Sequence, residues 1–368
     1  MNAGAAAWAD ARRILCVRLD NLGDVLMSTP AMRALKALAG RPELTLLASS
    51  AGVAAAPFLP EVDHVLGYDA AWVKNDATGN RQDRDMVARL QAGQFDAAVI
   101  FTVYSQSALP AALLCHLAGI PRVLAHSREN PYRLLSDWVR DREPEAGVRH
   151  EVQRQLDLVA AVGARTADRS LGWRVRPADR AALRRHLYAA GVTEAGGWIA
   201  LHSGASAASR RYPADQYAEA AVALRGEGRR ILLLGTEAER GLQGALEARR
   251  RAIPGLVDLC GELSLGELAA AIEGAAVLIC NNSGPAHMAA ALDVPVVDLY
   301  ALTNPQHTPW QVASRVLYHD VPCKYCYRSV CPQGHHACLA RVEPRRVALA
   351  ARELLARHGR AGPASAAA

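Results

Sequence analysis

Two polar turns in this chain carry residue types that bind phosphate and accept protons. The first, residues 20–24, has two carboxylates around an Asn-Leu-Gly step, and the second, residues 281–287, reads Asn-Asn-Ser-Gly-Pro-Ala-His. Each follows an apolar run and precedes a helical pattern, which predicts a buried strand, a tight turn and a helix N-terminus. Free N–H groups at a helix N-terminus bind anions, and a carboxylate beside them can act as a base. Two such turns predict two nucleotide-type α/β domains that face a shared cleft.

The elements that must position these turns are strands alternating with helices. Several of the apolar runs are continuous, which is typical of parallel strands covered on both faces. The alternation predicts right-handed βαβ units and a doubly wound parallel sheet in each half. The predicted strands are 14–19, 44–48, 62–66, 97–101 and 122–124, followed by 198–202, 230–234, 257–259, 277–280 and 296–300.

The pattern divides the chain into three segments. We predict one Rossmann-like domain over residues 13–175 and a second over residues 196–342, joined by a polar, Arg-rich region. Residues 343–360 are rich in Arg, Leu and Ala at helical spacing, and we expect this helix to pack back on the N-terminal domain.

Composition limits the class of protein. The 368 residues are 51% hydrophobic, which is enough for two cores. The formal net charge of +6 suits an anionic substrate or a membrane surface, and no basic run is interleaved with aromatic residues, so we expect no nucleic-acid partner. No apolar run is long enough to span a bilayer, and residues 1–13 do not resemble a signal peptide. Cys16, Cys115, Cys260 and Cys280 lie in apolar runs, as free thiols do in a reducing cytoplasm.

The ordered motifs resemble a known family. Residues 13–31 and 281–292 resemble the two signatures of the lipopolysaccharide core heptosyltransferases, glycosyltransferase family 9. A third motif is His-Ser-Gly-Ala at 202–205, followed by Arg-Arg-Tyr-Pro at 210–213. The likeness extends in order from about Arg13 to Val347. It implies a GT-B fold and the inverting transfer of heptose from ADP-heptose to an acceptor sugar, without an essential catalytic metal or other cofactor.

The resemblance and the required chemistry assign two catalytic residues. Inverting transfer needs a base for the acceptor hydroxyl, positive charge on the departing diphosphate, and two sugars held in line. The family's base is the aspartate of the Gly-Asp pair, here Asp24. Its basic diphosphate-binding residue is here Arg210, whose guanidinium can grip phosphate oxygens bidentately. The competing interpretation of Asp24 is a carboxylate that only stabilises the helix through its dipole. The competing interpretation of Arg210 is a solvated loop arginine.

The other candidate residues would bind substrates. The turn at residues 20–24 would shape the acceptor side of the site. The small residues at 203–206 would donate hydrogen bonds to the phosphates. The turn at residues 281–287 would contact the diphosphate and the donor sugar. Glu239 or Glu237 resembles the carboxylate that binds the ribose, and the alternative is an exposed first-turn glutamate. His287 is alternatively a structural histidine. Many members have Asp where this chain has Asn282, which leaves open a donor sugar other than heptose. The set is Asp20, Asn21, Gly23, Ser203, Gly204, Ala205, Ser206, Glu239, Asn282, Ser283, Gly284 and His287.

Four more cysteines cluster near the C-terminus, namely Cys323, Cys326, Cys331 and Cys338. Their spacing could hold a structural Zn or Fe ion, and free thiols or a disulfide are the alternatives. Members of the family often have cysteines in this region, and this block most resembles the transferases of the second heptose.

The leading hypothesis is a cytoplasmic heptosyltransferase that acts on an anionic lipid-linked saccharide, the lipopolysaccharide inner core, peripherally at the inner membrane face. A related glycosyltransferase with another nucleotide sugar or a soluble natural-product acceptor is the first alternative. A non-catalytic nucleotide-sugar-binding protein and a sugar-nucleotide epimerase of the same architecture are the others.

Overall fold

The computed structural model describes residues 8–73, 79–192, 197–224, 227–240, 244, 253 and 255–358. The chain folds as two compact units, Met1–Arg174 and Val175–Ala368. Each unit contains one six-stranded sheet in which the neighbouring strands run parallel. The two doubly wound parallel sheets predicted from the sequence are therefore confirmed.

The first sheet has the strand order β3-β2-β1-β4-β5-β6. Its strands are β1 (Arg13–Arg18), β2 (Glu43–Ala48), β3 (His64–Gly67), β4 (Ala97–Ile100), β5 (Val123–Ser127) and β6 (Asp137–Arg140). Its helices are α1 (Leu22–Lys36), α2 (Ser50–Val53), α3 (Gly79–Gly93), α4 (Leu109–Leu117) and α5 (Glu151–Ala160). β1 pairs with β2 on one side and β4 on the other, so the order reverses between β1 and β4. Open α/β sheets bind ligands at the carboxyl ends of strands at such a switch point.

The second sheet has the order β12-β11-β10-β7-β8-β9, with its switch point between β7 and β10. Its strands are β7 (Trp198–His202), β8 (Arg230–Leu234), β9 (Leu256–Asp258), β10 (Ala275–Asn281), β11 (Val296–Leu299) and β12 (Ser314–Leu317). Its helices are α6 (Pro177–Ala189), α7 (Ala214–Ala223), α8 (Glu237–Arg240), α9 (Leu265–Glu273), α10 (Gly284–Ala291), α11 (Ala337–Ala340) and α12 (Pro344–His358). The turns at 203–206 and 282–283 follow β7 and β10, so they meet at the switch point.

The C-terminal helix α12 corrects one expectation. We expected it to pack back on the N-terminal domain, but its apolar face packs in the second unit, against α7 and strands β10 to β12. Small side chains allow this close approach, since Ala348 and Ala351 of α12 are buried in one cluster with Ala218 and Ala221 of α7. Residues 359–360 of the predicted segment lie outside the described residues.

Both sheets have an edge strand that the sequence did not predict. β6 reads Asp-Trp-Val-Arg and β12 reads Ser-Arg-Val-Leu, and most of their residues are at least partly exposed. Such short, polar edge strands lack the continuous apolar run that marks the central ones.

Over the described ranges, no helix combines the length and the apolar composition that crossing a bilayer requires.

Candidate active site

The first unit places two predicted carboxylates beside one buried guanidinium. Arg18, the last residue of β1, is fully buried. Its Nε lies 3.1 Å from Asp20 Oδ2 and its Nη2 lies 3.2 Å from Asp24 Oδ1. Its Nη1 donates to Glu151 Oε1 of α5 at 2.8 Å. One arginine therefore pairs with three carboxylates, and two of them belong to the predicted turn.

The start of α1 orients Asp24. Asn21 is the N-cap of this helix, Gly23 is buried in its first turn, and Asp24 is its third residue. The backbone N–H of Asn21 donates to Asp24 Oδ2 at 3.2 Å, as in a capping box. Arg18 holds the other oxygen, yet the Asp24 side chain remains 17% exposed. The carboxylate thus has a fixed orientation and stays accessible to a small molecule.

The two fully buried members of this cluster balance each other's charge. Burial alone would lower the pKa of Arg18, but Asp20, Glu151 and Asp24 raise the pKa above its ordinary value, so the guanidinium stays charged. Burial raises the pKa of Glu151, and Arg18 opposes this shift. Neither residue was predicted from the sequence, although a lone arginine in the apolar run of β1 was an available signal.

A cavity of about 320 Å³ opens at the carboxyl ends of β1 and β4, beside Asp20. Gln106 Nε2 donates to Asp20 Oδ1 at 2.6 Å, so this carboxylate is fixed at the cavity wall. Trp72, Thr102 and Ser105 are among the other lining residues. An aromatic face beside hydroxyl and carboxylate groups suits a sugar, which has apolar ring faces and a polar edge.

In the second unit, the buried side chain of Asn281 joins three segments. Its Nδ2 donates to the carbonyl oxygen of Ser203 at 2.7 Å. Its Oδ1 accepts from the backbone N–H of Tyr212 and from the Tyr217 hydroxyl, both at 3.0 Å. The end of β10 therefore fixes both the small-residue turn after β7 and the segment that follows Arg210.

The two adjacent arginines of this segment differ in their contacts. Arg211 donates through Nε to the carbonyl oxygen of Ala205 at 2.8 Å, with a longer contact of 3.5 Å to that of Ser206, so it holds the turn in place. Arg210 is half-buried, and its guanidinium makes no hydrogen bond or ion pair with the residues that the structure describes. Of the two arginines, Arg210 is therefore the one whose N–H donors remain available for an anion.

Gly204 allows a carboxylate to approach the turn. A Cβ at this position would lie 1.7 Å from Glu239 Oε1, so a larger residue here would displace this carboxylate. Glu239 Oε2 accepts from the backbone N–H of Thr236 at 2.8 Å and lies 3.9 Å from His202 Nε2. Burial lowers the pKa of His202, while Glu239 opposes this shift. The structure thus places Glu239 beside the turn.

The turn after β10 completes this group. Ser283 is the N-cap of α10 and donates to the carbonyl oxygen of Asn281 at 3.1 Å, with Gly284 and Pro285 beginning the helix. Asn282 and His287 are buried. The Ser203 Oγ is buried and has no hydrogen-bond partner among the described residues. Such a group normally has a partner, so a polar ligand bound here would satisfy it.

The four C-terminal cysteines do not support the predicted metal site. All four are free thiols and partly buried, and Cys323 Sγ lies 3.9 Å from His335 Nε2. Burial raises the pKa of Cys338, and the neighbouring thiols add to this shift. Among the described residues, no group of three or more His, Cys, Asp or Glu side chains is arranged to hold a metal ion. The Zn or Fe site expected from the spacing is therefore not supported by the described side chains.

Comparison with known proteins decides the family. The model of glycosyltransferase family 9 (heptosyltransferase) matches residues 84–337, which is more than half of the chain. The chain belongs to glycosyltransferase family 9. The resemblance inferred from its motifs is confirmed, and family membership makes the protein a glycosyltransferase.

Relatives within family 9 are distant. The chain is 27% identical over 360 residues to lipopolysaccharide heptosyltransferase 1 of Pseudomonas aeruginosa, covering 91% of this chain and 96% of that protein. It is 30% identical over 162 residues to lipooligosaccharide heptosyltransferase 2 of Campylobacter jejuni, covering 43% of this chain and only half (50%) of that protein.

A solved family 9 structure has the same fold. The structure of Escherichia coli ADP-heptose lipopolysaccharide heptosyltransferase II matches with a TM-score of 0.73 and 22% identity, covering 94% of this chain and 99% of that one. The predicted GT-B fold of two Rossmann-like domains is confirmed by this match.

Proposed function

We propose that this family 9 protein is an inverting heptosyltransferase that transfers heptose from ADP-heptose to an acceptor of the lipopolysaccharide inner core. Asp24 is the proposed base and Arg210 the proposed binder of the departing diphosphate. The observation that carries the proposal is the Asp24 carboxylate, which Arg18 and Asn21 orient and which remains accessible.

The first unit supplies the acceptor side of this proposal. A base must reach the acceptor hydroxyl as the bond to the donor carbon forms. Asp24 takes that proton, while Asp20 in the adjoining cavity wall, with Asn21 and Gly23 shaping the turn, orients the acceptor sugar. Arg18 stays charged throughout, because its pKa is raised by the surrounding carboxylates.

The second unit supplies the donor side. Arg210 makes no hydrogen bond or ion pair among the described residues, although its charge acts on the buried carboxyl of Asp298, so its guanidinium can neutralise the charge that develops on the diphosphate. The turn of Ser203 to Ser206 and the start of α10 at Ser283 and Gly284 offer N–H groups to the same phosphates. His287 would donate to them as well. Glu239, beside Gly204, would bind the nucleoside ribose.

Asn282 favours a second candidate function, in which the donor is another nucleotide sugar or the acceptor is soluble. A carboxamide offers a donor and an acceptor where a carboxylate only accepts, so it changes which sugar hydroxyl pattern fits. The buried carboxamide of Asn282 is the group that would select the sugar.

The anionic, lipid-linked acceptor of this proposal also requires access to a membrane surface. The net charge of +6 favours peripheral attraction to an anionic inner-membrane face. Salt-sensitive binding to anionic vesicles is the expected result, and binding that does not respond to salt would contradict it.

The experiment is ADP release from ADP-heptose with a panel of truncated core acceptors, for the wild type, Asp24→Asn and Arg210→Ala. Loss of a general base slows transfer about 10²- to 10⁴-fold, so Asp24→Asn should lose rate while ADP binding stays unchanged. Arg210→Ala should lose both rate and ADP affinity.

Two matched controls separate chemistry from structure. Asp215→Asn removes another first-turn helix carboxylate, and Arg345→Ala removes an exposed arginine of α12. Neither should change the rate. Full activity of Asp24→Asn would instead support the interpretation that Asp24 only favours the helix dipole. Binding of ADP-heptose without release by any acceptor would favour the soluble-acceptor candidate.

A further inference from the structure

Arg210 lies at the end of a short element that needs support from outside. Residues Ala208–Arg210 form one turn of 3₁₀ helix, in which the backbone N–H of Arg210 donates to the carbonyl oxygen of Ala207 at 3.0 Å. A single turn of this kind makes few hydrogen bonds of its own and is not stable in isolation. The guanidinium of Arg210 makes no hydrogen bond or ion pair among the described residues. The position of its charge therefore depends on the contacts that hold this backbone.

Ser209, the central residue of the turn, supplies two of these contacts. It is buried, with 4% of its surface exposed. Its backbone N–H donates to the carbonyl oxygen of Ser329 at 3.0 Å, and its Oγ donates to the carbonyl oxygen of Arg328 at 2.7 Å. Two hydrogen bonds from one buried residue to consecutive carbonyl groups thus fix the turn against a segment that is far along the chain.

That segment, residues 325–329, is in turn held by the loop after β11. The backbone N–H of Tyr325 donates to the carbonyl oxygen of Leu302 at 2.6 Å, and that of Tyr327 donates to the carbonyl oxygen of Thr303 at 2.9 Å. Both tyrosines have left-handed backbone conformations, with φ angles of 61° and 53°. Residues other than glycine rarely adopt such angles, which persist only where surrounding contacts impose them. The hydrogen bonds to the loop therefore impose one strained conformation on this segment.

These contacts connect the end of β11 to the proposed diphosphate-binding residue. The loop after β11 holds residues 325–329, and that segment holds Ser209 beside Arg210. A cation stabilises a developing negative charge best when its position is fixed before the reaction, because no reorganisation is then needed. A misplacement of about 1 Å can slow a reaction about 10²-fold. A strained, hydrogen-bonded support next to Arg210 is therefore useful to the transfer of the sugar.

We propose that residues 325–329 position Arg210 for the diphosphate of the nucleotide sugar, with Ser209 as the positioning residue that connects them. The proposal rests on the proposed function for the role of Arg210. Ser209 does not touch the diphosphate and acts through the backbone on the residue that does. Loss of its hydroxyl group therefore weakens diphosphate binding only while Arg210 is present.

The test is a double-mutant cycle on the full-length protein, with ADP affinity measured by calorimetry. Ser209→Ala should weaken ADP binding about tenfold, because the guanidinium loses the position that one good hydrogen bond maintains. Arg210→Ala should weaken ADP binding at least as much. Ser209→Ala added to Arg210→Ala should cause no further loss, since the effects of residues that act through each other are not additive. Ser209→Thr keeps the hydroxyl group and should restore the affinity.

A second pair of variants tests the strained segment itself. Tyr327→Gly can keep the left-handed backbone and the N–H group, so it should retain the ADP affinity of the wild type. Tyr327→Pro excludes this backbone angle and removes the hydrogen bond to Thr303, so it should weaken ADP binding about as much as Ser209→Ala.

Gln216→Leu is the matched control. It also removes a hydrogen bond from a side chain to a backbone carbonyl in the second unit, from Nε2 to the oxygen of Ala340 at 2.8 Å, and it should not change ADP affinity. Equal losses for Gln216→Leu and Ser209→Ala would overturn the proposal, as would additive losses in the double variant or unchanged affinity of Ser209→Ala. Wild-type affinity of Arg210→Ala is a distinct result that overturns the proposed function itself, because Arg210 would then not bind the diphosphate.

Discussion

Burial of an arginine destabilises the folded state unless other charges compensate the lost solvation of the guanidinium. Three carboxylates compensate the charge of Arg18. Its planar guanidinium reaches Asp20, Asp24 and Glu151 with different nitrogens, which a single ammonium group cannot do. Arg18 is therefore a positioning residue for Asp24: it touches the proposed base and not the substrates.

Arg18→Lys should reduce transfer about 10²-fold, because the carboxylate of Asp24 loses its fixed orientation and small misplacements of a reacting group have effects of this size. ADP affinity should not change, since Arg18 lies in the first unit. Turnover and ADP calorimetry on the same preparation check both parts. Arg33→Lys is the control, because Arg33 also pairs with two carboxylates, Glu61 and Asp168, within the same unit. Equal rate losses in the two variants would show a general loss of stability instead.

The sequence predicted which residues of each turn lie close together, but not the distant residues whose side chains hold the turns in position. Asp20 and Asp24 are close in sequence, and a strand, turn and helix place them side by side. Glu151 is 133 residues away from Arg18, and Asn281 joins segments that are 69 and 78 residues away. Such partners depend on how the sheet is ordered, which local patterns do not encode.

At the scale of elements, α5 and β11 carry buried polar groups. Glu151, Arg154 and Gln155 of α5 are all buried, because they bind Arg18, Asp141 and the carbonyl oxygen of Thr102. In β11, the carboxyl group of Asp298 is fully buried opposite Cys280 of β10, and neither of its oxygens has a hydrogen-bond partner among the described residues.

Asp298 should make the second unit less stable as pH rises. Burial raises the pKa of Asp298 well above its ordinary value, with Arg210 opposing the shift. The folded state therefore keeps a proton that the unfolded state releases above about pH 4, so stability falls with rising pH. Asp298→Asn removes this dependence. The gain in melting temperature over the wild type should be several degrees larger at pH 8 than at pH 5.

Asp320→Asn is the control for this prediction. A hydrogen bond from Lys324 lowers the pKa of Asp320, so its charge does not change between pH 5 and pH 8. A gain for Asp298→Asn that is the same at both pH values would mean that Asp298 is ionised in the folded protein.

At the scale of the whole molecule, the sequence predicted two doubly wound sheets because their central strands are continuous apolar runs. It did not predict the exposed edge strands β6 and β12, and it placed the C-terminal helix wrongly. The buried face of α12 packs against α7, and this packing depends on alanines of two segments that are far apart in sequence. The metal site predicted from the cysteine spacing is unsupported among the described residues, because spacing alone does not fix where side chains converge.

The division into two units leads to the last prediction. The proposed diphosphate and ribose residues all lie in Val175–Ala368, which has its own sheet and its own hydrophobic core. A fragment of these residues should fold and bind ADP within about tenfold of the full chain, because one tenfold step is the effect of a single lost contact. It should not transfer heptose, since Asp24 is absent. Calorimetry with ADP checks the affinity, and the same fragment with Arg210→Ala is the control that should bind more weakly. A fragment that is folded by circular dichroism but does not bind ADP would show that the first unit contributes to the nucleotide site.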